Sequence, residues 1–270
     1  MRYPIVFAFG LLLALPACGD QYADCNQSAD QSRRISGCSQ IINSSGESRK
    51  KRAEAHYKRG NAYYRLKQFR RAIQDYDAAI RLNPQYINAY SNRGTIYLHL
   101  KQYRLAIQDY SEALRLNRRD ADVYFNRGIA YFRLKQYRRA IQDYDEVLRL
   151  NPRNTEAYSN RGVAYRRLKL YRQAIQDFDA ILRINPRLYQ AYSNRAVVYY
   201  NLKQYRRAIQ DYNEVLRLNP RWWQAFYGRG IAYEALGRKQ EAIRDYRQSL
   251  RLNPSIKQSR DRLRRLGVTP

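Results

Sequence analysis

Histidine, cysteine, methionine and tryptophan are scarce in this sequence, and acidic residues are few beside the basic ones. His56 and His99 are the only histidines, and no spacing typical of a catalytic nucleophile, a metal site or a phosphate-binding loop accompanies them. We therefore expect no catalysis, no cofactor and no metal. The long apolar run, Ile5 to Leu15, is too short to span a bilayer as a helix.

The sequence contains instead a segment of 34 residues that is written six times without a gap. The copies are 53–86, 87–120, 121–154, 155–188, 189–222 and 223–256. Recurring residues fall at spacings of three and four in two runs, so each copy predicts two helices that each bury one face. Asn-Pro ends the second helix, except that Arg118 replaces proline in the second copy. A strict period of this length predicts stacked helical hairpins.

Positions within a copy are called places here, counted from its first residue. Place eight is glycine or alanine, place eleven tyrosine, place twenty alanine, place twenty-four aromatic, and place thirty-two mostly proline. This pattern resembles the tetratricopeptide repeat family over residues 53–256. The resemblance implies an all-α, right-handed superhelical solenoid of six hairpins, with first helices lining a concave groove and second helices forming the outer wall. It also implies a scaffold that holds protein partners rather than an enzyme.

Residues 1–17 are predicted to be a secretion signal, with a positive start and a short apolar run. The run LPAC at 15–18 resembles a bacterial lipobox, which would make Cys18 the lipidated first residue, although Pro16 departs from the usual pattern. Ordinary cleavage near Gly19 is the alternative. Both interpretations predict export, either to the periplasmic face of a bacterial membrane or as a soluble periplasmic or secreted protein.

The two remaining cysteines, Cys25 and Cys38, are expected to form a disulfide in an oxidising compartment. Free thiols are the alternative, and metal binding has little support because no histidine lies near them. They fall in the polar segment 18–52, where about 29–44 aligns with a second helix and places Cys38 where the repeat has tyrosine. We read this as a degenerate half-repeat that covers the first hairpin, and residues 257–270 as a capping helix and tail.

The formal net charge of +28 is spread over all repeats rather than clustered. This distribution favours anionic lipid headgroups, acidic wall polymers or acidic proteins as partners over a localised nucleic-acid patch. Place seven is always arginine and place twenty-three always aspartate, and the two are symmetric about the hairpin turn, so we predict a structural ion pair in each repeat. The predicted pairs are Arg59–Asp75, Arg93–Asp109, Arg127–Asp143, Arg161–Asp177, Arg195–Asp211 and Arg229–Asp245.

Arginines at places eighteen and nineteen lie near the start of the second helix, where the helix dipole disfavours cations. We therefore expect them to have no internal role and to form an outward-facing basic strip. Representative members are Arg70, Arg71, Arg138, Arg139, Arg206 and Arg207.

Place six is asparagine in the four middle repeats, on the first helix and outside the predicted core. An asparagine amide can pair with both groups of a peptide bond without regard to the side chain. The recurring AYSN resembles the asparagine ladder of the O-linked N-acetylglucosamine transferase superhelix, although no transferase domain is present. The resemblance implies an extended peptide held by its backbone. Simple solvation of these side chains is the alternative, and the chaperone-tail clamp of other family members is poorly matched, because Asp122 and Asn126 stand where basic residues are needed.

The predicted groove also carries aromatic side chains at places five and twelve and basic side chains in its middle, which suits an acidic or aromatic-containing peptide. Its predicted residues are Asn92, Asn126, Asn160, Asn194, Tyr57, Tyr64, Phe125, Phe132, Arg133, Arg166, Arg167, Tyr200 and Tyr227. The favoured function is an exported scaffold that binds protein segments in this groove. An envelope-adhering protein that binds anionic lipid or wall polymer is the alternative, and nucleic-acid binding is the third.

Overall fold

The structure, a computed structural model, describes residues 20–27 and 29–269. The predicted signal at 1–17 and Cys18 lie outside the described residues. All regular elements in the described ranges are α-helices, so the predicted all-α hairpin fold class is confirmed. In chain order they are α1 (Gln21–Asn26), α2 (Gln31–Asn43), α3 (Arg49–Arg65), α4 (Phe69–Leu82), α5 (Ile87–His99), α6 (Tyr103–Leu116), α7 (Ala121–Arg133), α8 (Tyr137–Leu150), α9 (Thr155–Arg167), α10 (Tyr171–Ile184), α11 (Tyr189–Asn201), α12 (Tyr205–Leu218), α13 (Trp223–Ala235), α14 (Lys239–Leu252) and α15 (Lys257–Arg265).

The chain divides into two compact units, and the boundary lies between Gln102 and Tyr103. In the first unit α1 to α4 each pack against the next helix in the chain. In the second unit α6 to α15 do the same, and the first helices α7, α9, α11 and α13 also contact one another in succession. Consecutive packing of this kind stacks equivalent places of neighbouring repeats within a unit.

The hairpin turns share one backbone conformation, with a left-handed residue at place fifteen. In the third repeat Lys135 has φ 61°, its N–H donates to the Phe132 carbonyl at 2.9 Å, and the Gln136 N–H donates to Tyr131 at 2.9 Å. The last hairpin uses Gly237, and the same conformation is adopted by Lys67, Lys101, Lys169 and Lys203. The two bonds are those of a Schellman helix end, a position that favours glycine, so each lysine holds some backbone strain.

The close approach of the two helices in a hairpin explains the small residue at place eight. A Cβ built on Gly60 would lie 2.7 Å from Cε1 of the buried Tyr76 ring, and the glycines of the third, fourth and sixth repeats face the same restriction. The fifth repeat has Ala196 at this place. Its Tyr212 ring lies against Gly228 of the next repeat, where a Cβ would stand 2.4 Å from Tyr212 Cζ.

The arginines at place seven bond to the aspartates at place twenty-three in five of the predicted pairs, at repeats one, three, four, five and six. Arg161 is representative: Nε and Nη2 donate to the two carboxylate oxygens of Asp177 at 3.0 and 2.6 Å. Its Nη1 reaches back one repeat to Asp145 at 2.6 Å. The remaining pair, Arg93–Asp109 of the second repeat, has one member in each unit and stays a prediction.

The reach of Nη1 into the preceding repeat recurs and links successive hairpins. Its acceptors are Ser39 for Arg59, Asp77 for Arg93, Ser111 for Arg127, Asp145 for Arg161, Asp179 for Arg195 and Asn213 for Arg229. Because the guanidinium fork bonds two planar partners at once, each arginine orders both its own hairpin and the preceding one.

Burial and pairing compete in setting the charge state of these aspartates. Burial raises the pKa of Asp177 above its ordinary value despite the Arg161 hydrogen bonds, and the same holds for Asp143, Asp211 and Asp245. Asp75 has a second partner, since His56 Nδ1 lies 2.9 Å from its Oδ1. There the bonds from Arg59 and His56 outweigh burial, and the pKa of Asp75 is lowered.

The N-terminal segment contains a complete hairpin. The predicted half-repeat corresponds to α2, and the short helix α1 packs against it. A disulfide joins Cys25 of α1 to Cys38 of α2, with an S–S distance of 2.01 Å. In the repeats, the side chain at place twenty-five accepts a hydrogen bond from the arginine of the next repeat. Ser39 has this role here, because Arg59 Nη1 donates to its hydroxyl at 2.8 Å. This disulfide-bonded hairpin covers the start of α3.

Candidate functional site

Three asparagines of the second unit occupy place six on successive first helices: Asn126 on α7, Asn160 on α9 and Asn194 on α11. Each side chain is partly buried, and no side-chain amide of the three has a hydrogen-bond partner among the described residues. Because these helices contact one another in order, the three amides follow one another along one wall. A row of unbonded amides on a packed surface can bind an extended backbone.

Asn92 differs from these three, because its donors already have partners within the first unit. Its Nδ2 donates to Asn61 Oδ1 at 2.8 Å and to the Tyr57 hydroxyl at 3.3 Å. The Tyr76 hydroxyl donates to the same Asn61 oxygen at 2.7 Å. Place nine is asparagine in the first repeat alone. The predicted role of Asn92 in peptide binding therefore has less geometric support than that of the other three.

The predicted groove aromatics lie partly buried and pack against rings of their own repeat. Place-five rings contact place twenty-four, and place-twelve rings contact place seventeen, with centroids 5.2 to 6.0 Å apart. The pairs are Tyr57–Tyr76, Phe125–Tyr144, Tyr227–Tyr246, Tyr64–Phe69, Phe132–Tyr137 and Tyr200–Tyr205. Pairing of this kind holds the exposed edges of the rings in place before any ligand arrives.

Arg166 is the basic residue that burial singles out in this region. It lies on α9 at place twelve, and its buried Nε has no hydrogen-bond partner. Burial and the charge of the neighbouring Arg167 lower the pKa of Arg166, which has no carboxylate beside it to oppose them. Arg133 and Arg167 are exposed. A partly buried guanidinium without a counter-charge is stabilised by an anionic ligand group.

In the sixth repeat the same place carries Glu234, and the capping helix neutralises it. Arg262 of α15 donates from Nη1 to Glu234 Oε1 at 3.0 Å, and the Tyr246 hydroxyl donates to Oε2 at 2.6 Å. Sequence reasoning missed this contact, although an acidic residue at place twelve opposite a basic cap was a usable signal. The contact gives the carboxylate at this end of the second unit a basic partner.

The expectation that places eighteen and nineteen both lack an internal role is wrong for place nineteen. Arg139 donates to Gln136 at 3.1 Å, and its guanidinium carbon lies 5.7 Å from the centroid of the Tyr131 ring. Arg71 and Arg207 do the same in their repeats. At place eighteen Arg70, Arg138 and Arg206 are exposed and bond to no other described residue.

Two other classes of site are absent from the described residues. No group of three or more histidine, cysteine, aspartate or glutamate side chains is placed to hold a metal ion in this part of the chain. Over the same residues, no helix has the length and apolar character needed to cross a bilayer.

The fold is that of a repeat protein built from stacked helical hairpins. A sequence profile described as "Tetratricopeptide repeat" matches residues 53–86, 121–154, 155–188, 189–221 and 223–256, more than half of the chain. Related profiles match 94–135 and 75–108. The chain belongs to the tetratricopeptide repeat family, whose members bind protein or peptide partners. No curated protein sequence matches it.

Solved structures of other repeat proteins share the fold at low sequence identity. The C-terminal part of a TPR repeat-containing protein from Cytophaga hutchinsonii is 20% identical, with a TM-score of 0.71 over 86% of this chain and 93% of that one. PilF of Pseudomonas aeruginosa is 20% identical, with a TM-score of 0.62 over 80% of this chain and 99% of that one. YrrB, described as a TPR protein with an unusual peptide-binding site, is 18% identical, with a TM-score of 0.59 over 70% and 97%.

Proposed function

We propose that this protein is an exported scaffold that binds an extended peptide segment of a partner along the first helices of its second unit. The observation that carries the proposal is the row of three partly buried amides, on Asn126, Asn160 and Asn194, that have no hydrogen-bond partner among the described residues. An amide in this setting gains a donor and an acceptor when a peptide backbone arrives. YrrB is a related case, since its description refers to a peptide-binding site.

Helix spacing indicates how such a segment would fit. Packed helices lie about 8–10 Å apart, and an extended chain advances about 3.3 Å per residue. Amides on consecutive first helices are therefore spaced to reach about every third residue of the ligand. Three amides cover about six residues, which is the length of a short linear motif.

Selectivity in the proposed complex comes from Arg166 and the paired rings. A carboxylate on the ligand would bond to the guanidinium and give it the counter-charge that it lacks. The edges of Phe125, Phe132 and Tyr200 offer apolar and aromatic contact on either side. The proposed ligand is thus a segment that is bound mainly through its backbone and has an acidic residue near the middle.

Export is part of the proposal and depends on the predicted signal at 1–17, with lipidation of Cys18 as the proposed anchor. The Cys25–Cys38 disulfide supports it, because disulfides persist in oxidising compartments such as the periplasm. Both cysteines are buried in the hairpin, where the disulfide takes the place of an aromatic core contact.

The test is a comparison of two double variants in the same repeats. Peptides are first selected on the protein from a displayed random library, and their affinities are then measured by isothermal titration calorimetry. Asn126→Ala/Asn160→Ala removes two proposed backbone contacts and is expected to weaken binding about tenfold or more, at about 1 kcal/mol for each hydrogen bond. The control, Gln142→Ala/Gln176→Ala, removes exposed amides of the second helices and is expected to leave affinity unchanged.

A thermal melt of each variant shows whether the fold is kept. Equal affinities for the two double variants would refute backbone reading by the asparagines. Arg166→Gln is expected to weaken only those selected peptides that contain an acidic residue, and uniform weakening of all peptides would contradict the assigned role of Arg166.

A further inference from the structure

The large hydrophobic side chains that are exposed in the described parts of the chain lie at hairpin turns or in the first turn of the helix that follows. They are Leu66, Leu100, Leu105, Leu170 and Leu236, each 37% to 43% exposed. Three follow the last residue of a first helix, Leu170 directly precedes α10, and Leu105 lies in the first turn of α6. Apolar side chains gathered on one kind of surface indicate a contact site more strongly than scattered ones.

The same turns carry cationic side chains that make no hydrogen bond or ion pair with the other described residues. Place fifteen is lysine and place eighteen arginine in the first five repeats, and every one of these side chains is exposed. The pairs are Lys67 and Arg70, Lys101 and Arg104, Lys135 and Arg138, Lys169 and Arg172, and Lys203 and Arg206. Places fourteen to twenty-two contain no aspartate or glutamate in these repeats.

Within the second unit, neighbouring turns meet and form shallow basins. One basin of about 480 Å³ is lined by Lys135, Tyr137, Arg138 and Arg139 together with Leu168 from the next turn. An equivalent basin of about 470 Å³ lies two repeats further on, where Lys203 and Arg206 meet Leu236. We call this surface the basic turn edge, defined by Lys135, Arg138, Lys169, Leu170, Arg172, Lys203, Arg206 and Leu236.

We propose that the basic turn edge of the second unit docks onto an anionic lipid bilayer. The cations would lie at the phosphate headgroups, while Leu170 and Leu236 enter the boundary between headgroups and acyl chains. Lysine and arginine near such a surface are attracted to it, and their aliphatic stems cover apolar surface as the charges stay in water. Tyr137 and Tyr205, partly buried beside the basins, have the amphipathic character found at membrane interfaces.

The exposed leucines favour a bilayer over the other occupants of a basic surface. A nucleic-acid backbone binds cations and gains nothing from leucines that need an apolar environment. A second copy of the chain would present the same positive charges and repel the first. None of the residues that define the surface lies at place six or twelve, so substitutions there leave the asparagine row and the place-twelve side chains unchanged.

The opposite edge of the same unit is a matched control. Its turns, which join one repeat to the next, carry the exposed arginines Arg119, Arg153, Arg187 and Arg221. No exposed large hydrophobic residue of the described chain lies there. Charge alone therefore predicts equal binding by both edges, whereas docking with leucine insertion predicts binding by the basic turn edge.

The experiment uses the chain from Gly19 onward, which keeps every described residue and carries no lipid. Binding is measured by co-sedimentation with vesicles of phosphatidylcholine, with and without phosphatidylglycerol. The variant Lys135→Gln/Arg138→Gln/Lys203→Gln/Arg206→Gln is expected to reduce partitioning onto the anionic vesicles by about tenfold or more. The control Arg119→Gln/Arg153→Gln/Arg187→Gln/Arg221→Gln removes the same charge and is expected to change partitioning by less than about twofold.

A third variant tests insertion directly. Leu170→Ser/Leu236→Ser keeps every charge, and we expect it to weaken vesicle binding severalfold, with the largest loss at high salt where the cations are screened. Equal losses from the two charge variants would overturn the proposal. So would unchanged binding by the leucine variant, or tighter binding to a DNA duplex than to the vesicles that disappears with the turn-edge charges.

Discussion

Replacing Arg161 with leucine tests the role assigned to the recurring ion pairs. The substitution removes two hydrogen bonds to Asp177 and one to Asp145. The Asp177 side chain is 5% exposed and would be left as a buried charge without a partner, whereas Asp145 is 49% exposed and can be solvated. Breaking a buried pair in this way costs about 3–5 kcal/mol of the free energy of unfolding.

Removing both charges should lower the free energy of unfolding far less than removing one. In Arg161→Leu/Asp177→Leu no buried charge is left, and replacement of a buried pair by apolar residues is close to neutral. The assay is urea unfolding followed by far-ultraviolet circular dichroism, for the wild type, both single variants and the double variant. A single variant that loses less than about 1 kcal/mol, or a double variant that loses the sum of the two, would refute the reasoning.

The pH dependence of the free energy of unfolding tests the same reasoning independently. Burial raises the folded-state pKa of Asp177 above the unfolded value, so the folded chain holds this proton more tightly. Protonated Asp177 therefore contributes stability that is fully present below the pKa of the unfolded state. This contribution is lost as the pH rises through the pKa of the folded state. Without Arg161 the hydrogen bonds that oppose burial are gone, so the folded pKa rises further. Arg161→Leu should therefore regain stability on acidification from neutral pH, by more than the wild type does.

Two further predictions concern local structure. Lys135→Gly relieves the left-handed backbone at φ 61° and should raise the free energy of unfolding by up to about 1 kcal/mol in a denaturant melt, whereas Lys135→Ala should give no such gain. Cys38→Ser opens the bond to Cys25, closed over a sequence separation of 13, and should destabilise the N-terminal hairpin by about 2–4 kcal/mol. Hydrogen exchange should then quicken in α1 and α2 while α12 stays protected, and equal exchange throughout would contradict a local role.

Most of the fold can be predicted from the sequence period, because each repeat places the same residue types at the same helical spacing. The symmetry of places seven and twenty-three about the turn is enough to predict the Arg161–Asp177 contact from the sequence. The same symmetry does not show which neighbour a third guanidinium nitrogen reaches. The bond from Arg161 to Asp145 in the preceding repeat was therefore not foreseen, although place twenty-five is polar and short in five repeats.

Features that occur once, and contacts that depend on packing within the hairpin, could not be predicted from the period. Helix α1 has six residues, too few for an apolar period to be read, and its position follows from packing against α2. The bond from Asn92 to Asn61 depends on a side chain found at that place in the first repeat alone. Place-nineteen arginines looked unfavourable near a helix start, but the contact with tyrosine, as between Arg139 and Tyr131, depends on packing within the hairpin that the dipole argument leaves out.

The central proposal is that the row formed by Asn126, Asn160 and Asn194 reads the backbone of its ligand. Its most direct measurement is a scan of one selected peptide, in which each position is changed once to alanine and once to an N-methylated residue, with affinities determined by calorimetry. Backbone reading predicts losses from N-methylation at about every third position, and little effect of alanine except at an acidic residue opposite Arg166. Losses that follow the side chains, with every N-methylated peptide still bound, would contradict it.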